Sequence, residues 1–173
     1  MRIFIACSIH RFDDLQDLYS SLKEFKSVRT VNTPELHLTF RFFGELNEEE
    51  TSRLLTEFRK LKLKKFILRI SGLGCFPEPK RARILYMNVD IVEEILFNYD
   101  LITKINVGKE PEKRAFVPHI TVARSKRPNN LENIVKIFDR IHLEKTIDHM
   151  SVYQSVLTAS GPLYKMMEDV QLI

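Results

Sequence analysis

Apolar residues recur along this chain with two different periods. Residues 2 to 9 (RIFIACSI) form an apolar, β-branched run that predicts a buried strand. Over residues 13 to 25 (DDLQDLYSSLKEF), Leu15, Leu18, Leu22 and Phe25 fall at helical spacing behind an acidic start, which predicts a helix. Residues 36 to 43 (LHLTFRFF) follow the punctuation of Thr33-Pro34-Glu35 and alternate as a strand does. Leu38, Phe40 and Phe42 fall on one face, with His37, Thr39 and Arg41 on the other. Asn47 is placed to cap a helix whose first turn, Glu48-Glu49-Glu50, suits the positive end of the helix dipole, with Leu54, Leu55, Phe58 and Leu61 behind it. A strand over 65 to 71 leads into residues 72 to 81 (GLGCFPEPKR), whose glycines and prolines mark a candidate lobe boundary.

Beyond that break the order returns: strand at 83 to 89, helix at 91 to 105, loop at 106 to 115, strand at 117 to 124 (VPHITVAR) and helix at 130 to 140. A final strand pair, about 147 to 157 and 163 to 172, is joined by Ala159-Ser160-Gly161-Pro162. Each half therefore reads strand, helix, His-bearing strand, helix, strand, with little identity between the letters. This is the mark of a degenerate structural duplication.

The two His-bearing strands share a pattern, His37-Leu38-Thr39 and His119-Ile120-Thr121. With five His and nine Thr in 173 residues, chance supplies about 0.26 such triplets. Two of them on equivalent strands need a cause. The i, i+2 spacing sets imidazole and hydroxyl on one face, about 6.5 to 7 Å apart along the strand, a separation suited to one tetrahedral anion. At neutral pH one imidazole can accept a proton while another, facing a phosphate, donates one. A cyclic phosphodiester needs that division of labour, with threonine hydroxyls holding its non-bridging oxygens. Arg41 shares the His37 face and is a candidate substrate-binding residue.

Composition narrows the classes. At 173 residues, 44% hydrophobic and 29% charged, the chain is long enough to build its own core. A net charge of +4 admits a polyanionic substrate. Arg41, Lys80, Arg81, Arg83, Arg124, Lys126 and Arg127 gather near the motifs in sequence, as a longer polyanion would require. Cys7 and Cys75 are isolated, with no Cys/His group at zinc spacing, so no metal and a reducing compartment are expected. The opening apolar run is too short for a signal or a membrane span. A cytoplasmic location and no membrane partner are the expectation, and the lack of heptads suggests a monomer.

The opening MRIFIACSI, the stretch LHLTFRFFGEL, SGLGCFPEPKRARILYMNV, FVPHITVARSK and the ending SVLTASGPLYKMMEDVQL together resemble the 2H phosphoesterase superfamily. The match is to its RNA 2′,3′-cyclic phosphodiesterase (2′-5′ RNA ligase) family and covers nearly the whole length. The resemblance implies an α+β fold: two pseudo-symmetric lobes, each an antiparallel sheet with outer helices, flanking a central groove, so that 1–173 is a single bilobal domain. It implies His37 as proton donor to the leaving 3′ oxygen and His119 as the acceptor that activates water, with Thr39 and Thr121 binding the phosphate. The implied product is a 2′-phosphate, with no metal or cofactor, and the partner is an RNA with a cyclic phosphate end, tRNA-derived ends included. Reversible ATP-independent 2′-5′ ligation is a further activity of that family.

Phe76 matches a family aromatic near the groove and is a candidate to stack a base. Thr30 stands where the family usually has an aromatic residue. Arg124 matches the family's HxTxxR pattern, yet strand parity puts it opposite to His119 unless a bulge intervenes. Ser155, Gly161 and Tyr164 match the closing pattern and read as structural, while His10, His142 and His149 lack the motif. Two other readings stay open: a cyclic phosphodiesterase acting on a small nucleotide, and a non-catalytic RNA-end or tRNA-binding module.

Overall fold

The computed structural model describes residues 1–9, 15–113, 115–158 and 161–173. His10, the Asp13-Asp14 helix start and the Ala159-Ser160 part of the last turn lie outside the described residues. The elements run β1 (Arg2–Ser8), α1 (Gln16–Leu22), β2 (Val28–Thr30), β3 (His37–Glu45), α2 (Glu48–Lys60), β4 (Phe66–Phe76) and β5 (Ala82–Val89). Then follow α3 (Glu93–Thr103), β6 (His119–Asn129), α4 (Glu132–Ile137), β7 (His142–Ile147), β8 (His149–Thr158) and β9 (Gly161–Gln171). Helix α2 begins as its sequence requires. The Asn47 side chain accepts from the Glu50 amide at 2.8 Å and the Glu50 carboxylate accepts from the Asn47 amide at 2.9 Å, a reciprocal cap worth about 1 kcal/mol.

All strand pairs are antiparallel, in the order β7-β4-β5-β6-β3-β1-β8-β9, with β2 added alongside β6. The sheet curls. Leu63 and Lys65, just before β4, bond to Ile173, just after β9, although these strands lie toward opposite ends of the order. One face is dry. Leu38, Met87, Ile120, Met150 and Val152 are fully buried there with Leu18 and Leu22 of α1, Leu54 and Phe58 of α2, and Ile95 and Ile102 of α3. The opposite face carries both His-x-Thr pairs. This is the duplicated α+β architecture with helices outside.

Two expectations change. Residues 72 to 81 are no boundary, because β4 continues to Phe76. Gly72 takes a positive φ of 67° where the β4–β5 register shifts, and Gly74 makes room for the Tyr86 ring, which lies 2.5 Å from where a Cβ would stand. These glycines shape a strand. The halves are also interleaved: β1 joins β3 to the C-terminal hairpin β8–β9, while β4 pairs with β7 and β5 with β6. The short β2 and the charged edge strand β7, whose side chains are mostly exposed or half-buried, carry too little hydrophobic pattern to be predicted.

Candidate active site

Strands β3 and β6 touch through a single register pair, Leu38 with Ile120. One residue to either side, that register sets His37 across from Thr121 and Thr39 across from His119, all four half-buried on the open face. The two strongest sequence signals are thus brought together by one backbone contact at the centre of the sheet.

Each imidazole is held the same way. His37 Nδ1 lies 2.6 Å from the Glu35 carbonyl and His119 Nδ1 lies 2.8 Å from the Val117 carbonyl. A carbonyl only accepts, so Nδ1 carries the proton and Nε2 is left for chemistry. Each ring is also walled by aromatics. His37 sits 5.3 Å from Phe4 and edge-on to Tyr164 at 5.0 Å, while His119 is edge-on to Phe76 and Tyr86, both at 5.2 Å. Phe76 and Tyr86 stack at 4.4 Å. This burial is the main reason that both imidazoles titrate below their ordinary value, with the Arg124 charge acting in the same direction on each and the carbonyl bonds opposing it. His37 also feels the charge of His119.

Strand parity breaks at matching places in the two motifs. Phe40 is an extra residue between the Thr39–Ala6 and Arg41–Ile5 pairs, and Val122 is an extra residue between the Thr121–Tyr86 and Ala123–Leu85 pairs. Each bulge lies three positions after its histidine and turns the following residues over. Phe42 therefore emerges on the site face, 59% exposed. Arg124 emerges on it as well, exposed and within electrostatic reach of His37, His119 and Tyr164.

Arg41 is turned the other way, and its expected contact with substrate is corrected. It is 6% exposed. Its guanidinium donates to the carbonyls of Ile102, Thr103, Ile105, Val107 and Lys109 at the end of α3 and the loop beyond, and it lies over the Phe43 ring. Carbonyls at a helix C-terminus carry partial negative charge, so this is a stable seat for a buried cation.

The pattern missed Tyr86, Phe4 and Phe42, and read Tyr164 as structural only. Tyr86 would have needed the β5–β6 register, which pairs it with Thr121. Phe42 would have needed the bulge. Among the described residues, no group of three His, Cys, Asp or Glu side chains gathers that would hold a metal ion.

The model of the 2′-5′ RNA ligase superfamily matches residues 9–158 of this chain. The chain belongs to that family. A protein of Aeropyrum pernix named RNA 2′,3′-cyclic phosphodiesterase is 30% identical over 159 residues, covering 83% of this chain and 86% of the relative. A Methanocaldococcus jannaschii protein of the same name is 27% identical and covers 98% of this chain and 99% of its own. In fold, a crystal structure of a Thermus thermophilus protein superposes with a TM-score of 0.79 at 24% identity, covering 99% of this chain and 98% of that one. Escherichia coli LigT complexed with 3′-AMP gives 0.74 at 16% identity, covering 99% and 97%. These likenesses show the fold, the antiparallel sheet with outer helices on which the two motifs converge.

Proposed function

We propose that this chain hydrolyses RNA 2′,3′-cyclic phosphate ends to 2′-phosphomonoesters, with His37 and His119 as the proton-transfer pair. The observation that carries the reading is the matched seating of the two imidazoles. Each Nδ1 is tied to a carbonyl two residues back, and the Leu38–Ile120 register sets each histidine position across from the other motif's threonine. The relatives named for this reaction support the same substrate class.

With the phosphorus between the two motifs, His119 Nε2 takes a proton from water as the water oxygen bonds to phosphorus. The bond from phosphorus to O3′ breaks, and His37, protonated at Nε2, gives its proton to O3′. Atoms and charge balance: water is consumed, the ring opens to a 2′-phosphate, and the two histidines exchange protonation states. Thr39, Thr121 and Arg124 hold the non-bridging oxygens, and Phe76 and the exposed Phe42 offer rings to the bases. With an RNA 5′-hydroxyl in place of water as the nucleophile, the same step, in which His119 takes the hydroxyl proton, the P–O3′ bond breaks and His37 protonates O3′, would join two ends through a 2′-5′ bond without ATP. The substrate is an RNA end, tRNA-derived ends included. The enzyme works as one chain, since β3 and β6 of a single chain supply all four groups.

Burial argues against passive phosphate binding. A binder profits from histidines that stay charged, whereas these are held toward the neutral form, as a base and a substrate-charged acid require. Either of His37→Ala or His119→Ala should keep the wild-type thermal transition and lower kcat by about 10² to 10⁴, roughly 3 to 5.5 kcal/mol of barrier. Near wild-type turnover by His119→Ala would overturn the assignment.

A further inference from the structure

Beside the reacting centre, β2 sets Arg29 directly across from Arg124 of β6. The short strand fills the space that opens once β3 and β6 diverge beyond the Leu38–Ile120 pair, and Val31 ties it to the site by donating to the carbonyl of Val122, the bulge residue. Directly opposed residues of an antiparallel pair project to one face, with Cα atoms about 4.5 to 5.5 Å apart. Arg29 therefore shares the face of Arg124 and of the catalytic groups. Both side chains are exposed.

Two like charges in this register destabilise a sheet, and no carboxylate among the described residues neutralises them. Ion pairs there engage Arg2, Arg59, Lys60, Arg69 and Lys104, and neither Arg29 nor Arg124 has an acidic partner. An anion between the two guanidiniums would turn the repulsion into a pair of charge-assisted contacts. The reacting phosphate already has two imidazoles, two hydroxyls and Arg124 around it, and Arg29 stands across from Arg124 on the neighbouring strand, at a level three positions along β6 from Thr121. We infer that Arg29, with Arg124, forms a second phosphate site that takes the phosphodiester on the 5′ side of the terminal nucleotide.

The inference rests on the phosphodiesterase reading and sharpens it. The preferred substrate carries at least one internucleotide phosphate, so an RNA end is chosen over a nucleoside 2′,3′-cyclic monophosphate. Arg29 is a specificity residue. It touches no reacting atom.

The test compares kcat/KM on a nucleoside 2′,3′-cyclic phosphate, on a dinucleotide with the same terminal nucleoside cyclic phosphate, and on that dinucleotide with a neutral methylphosphonate linkage. The wild-type enzyme should favour the charged dinucleotide over the mononucleotide by about ten-fold or more, the worth of one charged hydrogen bond. The neutral linkage should erase that ratio. Arg29→Gln should bring the ratio near one, and Arg29→Lys should restore part of it. In Arg29→Gln the slope of log kcat/KM against log salt on the dinucleotide should flatten by about 0.7, one single-strand phosphate contact. Equal wild-type rates on all three compounds would overturn the inference, as would an Arg29→Gln loss that is the same on the mononucleotide. No turnover of any compound would instead overturn the phosphodiesterase reading itself.

Discussion

Replacing Arg41 by Met separates the structure's account of this residue from the face that alternation assigned it. Arg41→Met keeps the stem over Phe43 and removes the guanidinium. Contacts of 2.7 Å to Ile105, 2.9 Å to Lys109 and 3.0 Å to Ile102 are the strong ones, with 3.2 Å to Thr103 and 3.4 Å to Val107 weaker. Each buried carbonyl left without a donor costs about 1 to 3 kcal/mol. Relief from burying a charge offsets part of this, so the net loss is about 3 to 5 kcal/mol, the range for breaking a buried charged contact. Arg41 Nε is the one buried side-chain nitrogen or oxygen among the described residues without a partner, and its removal loses no bond. At a urea slope of about 2 kcal/mol per molar, the unfolding midpoint should fall by about 1.5 to 2.5 M. Below the transition, kcat and KM should stay within a few-fold of wild type. An unchanged midpoint together with a hundred-fold rise in KM would refute the reasoning and return Arg41 to the substrate.

Both imidazoles of the free protein should titrate below 6.5 by NMR, because burial disfavours their charged forms. Activity needs His37 protonated, so kcat/KM should fall as pH rises through the neutral range. kcat should hold to higher pH, since the bound phosphate raises the His37 value; a flat kcat/KM from about pH 6 to 8.5 would contradict this. The same shifts affect stability with the opposite sense. Below about 6.5 the unfolded chain binds protons that the native imidazoles resist, so the urea midpoint should decline as pH falls through that window. Gly74→Ala drives a Cβ to within 2.5 Å of the Tyr86 ring and should lower stability by about 1 to 3 kcal/mol. Because Tyr86 walls His119, kcat should fall with it; a variant with wild-type midpoint and rate would show that the ring does not position the imidazole.

What the sequence made legible was whatever depends on short-range pattern. Asn47 and its three glutamates announced α2, and the two His-x-Thr triplets marked the chemistry before any fold was known. Local pattern does not carry register. One extra residue at Phe40 and another at Val122 reversed the faces of Arg41, Phe42 and Arg124, and a bulge leaves no trace in the alternation of apolar letters that surrounds it. Leu-Thr-Phe-Arg-Phe-Phe reads as a clean strand whichever way it turns. Long-range pairing was equally hidden. The glycines and prolines of residues 72 to 81 read as a break because their use, a strand shaped to admit Tyr86, depends on a partner more than ten residues away. The pairing of Arg29 with Arg124 spans most of the chain and follows from nothing local.

Cleavage of a 2′,3′-cyclic phosphate by two histidines in line fixes which phosphate ester survives, so the regiochemistry of the product is the decisive measurement. Purified protein with excess chelator is incubated with a short RNA ending in 2′,3′-cyclic phosphate, and the terminus is read by mass spectrometry, phosphatase sensitivity and phosphorus NMR. The expected product has gained one water and carries a terminal 2′-phosphate with a free 3′-hydroxyl, formed at a rate indifferent to chelator. A 3′-phosphate product would reverse the roles of His37 and His119, and intact binding without conversion would contradict the enzyme assignment.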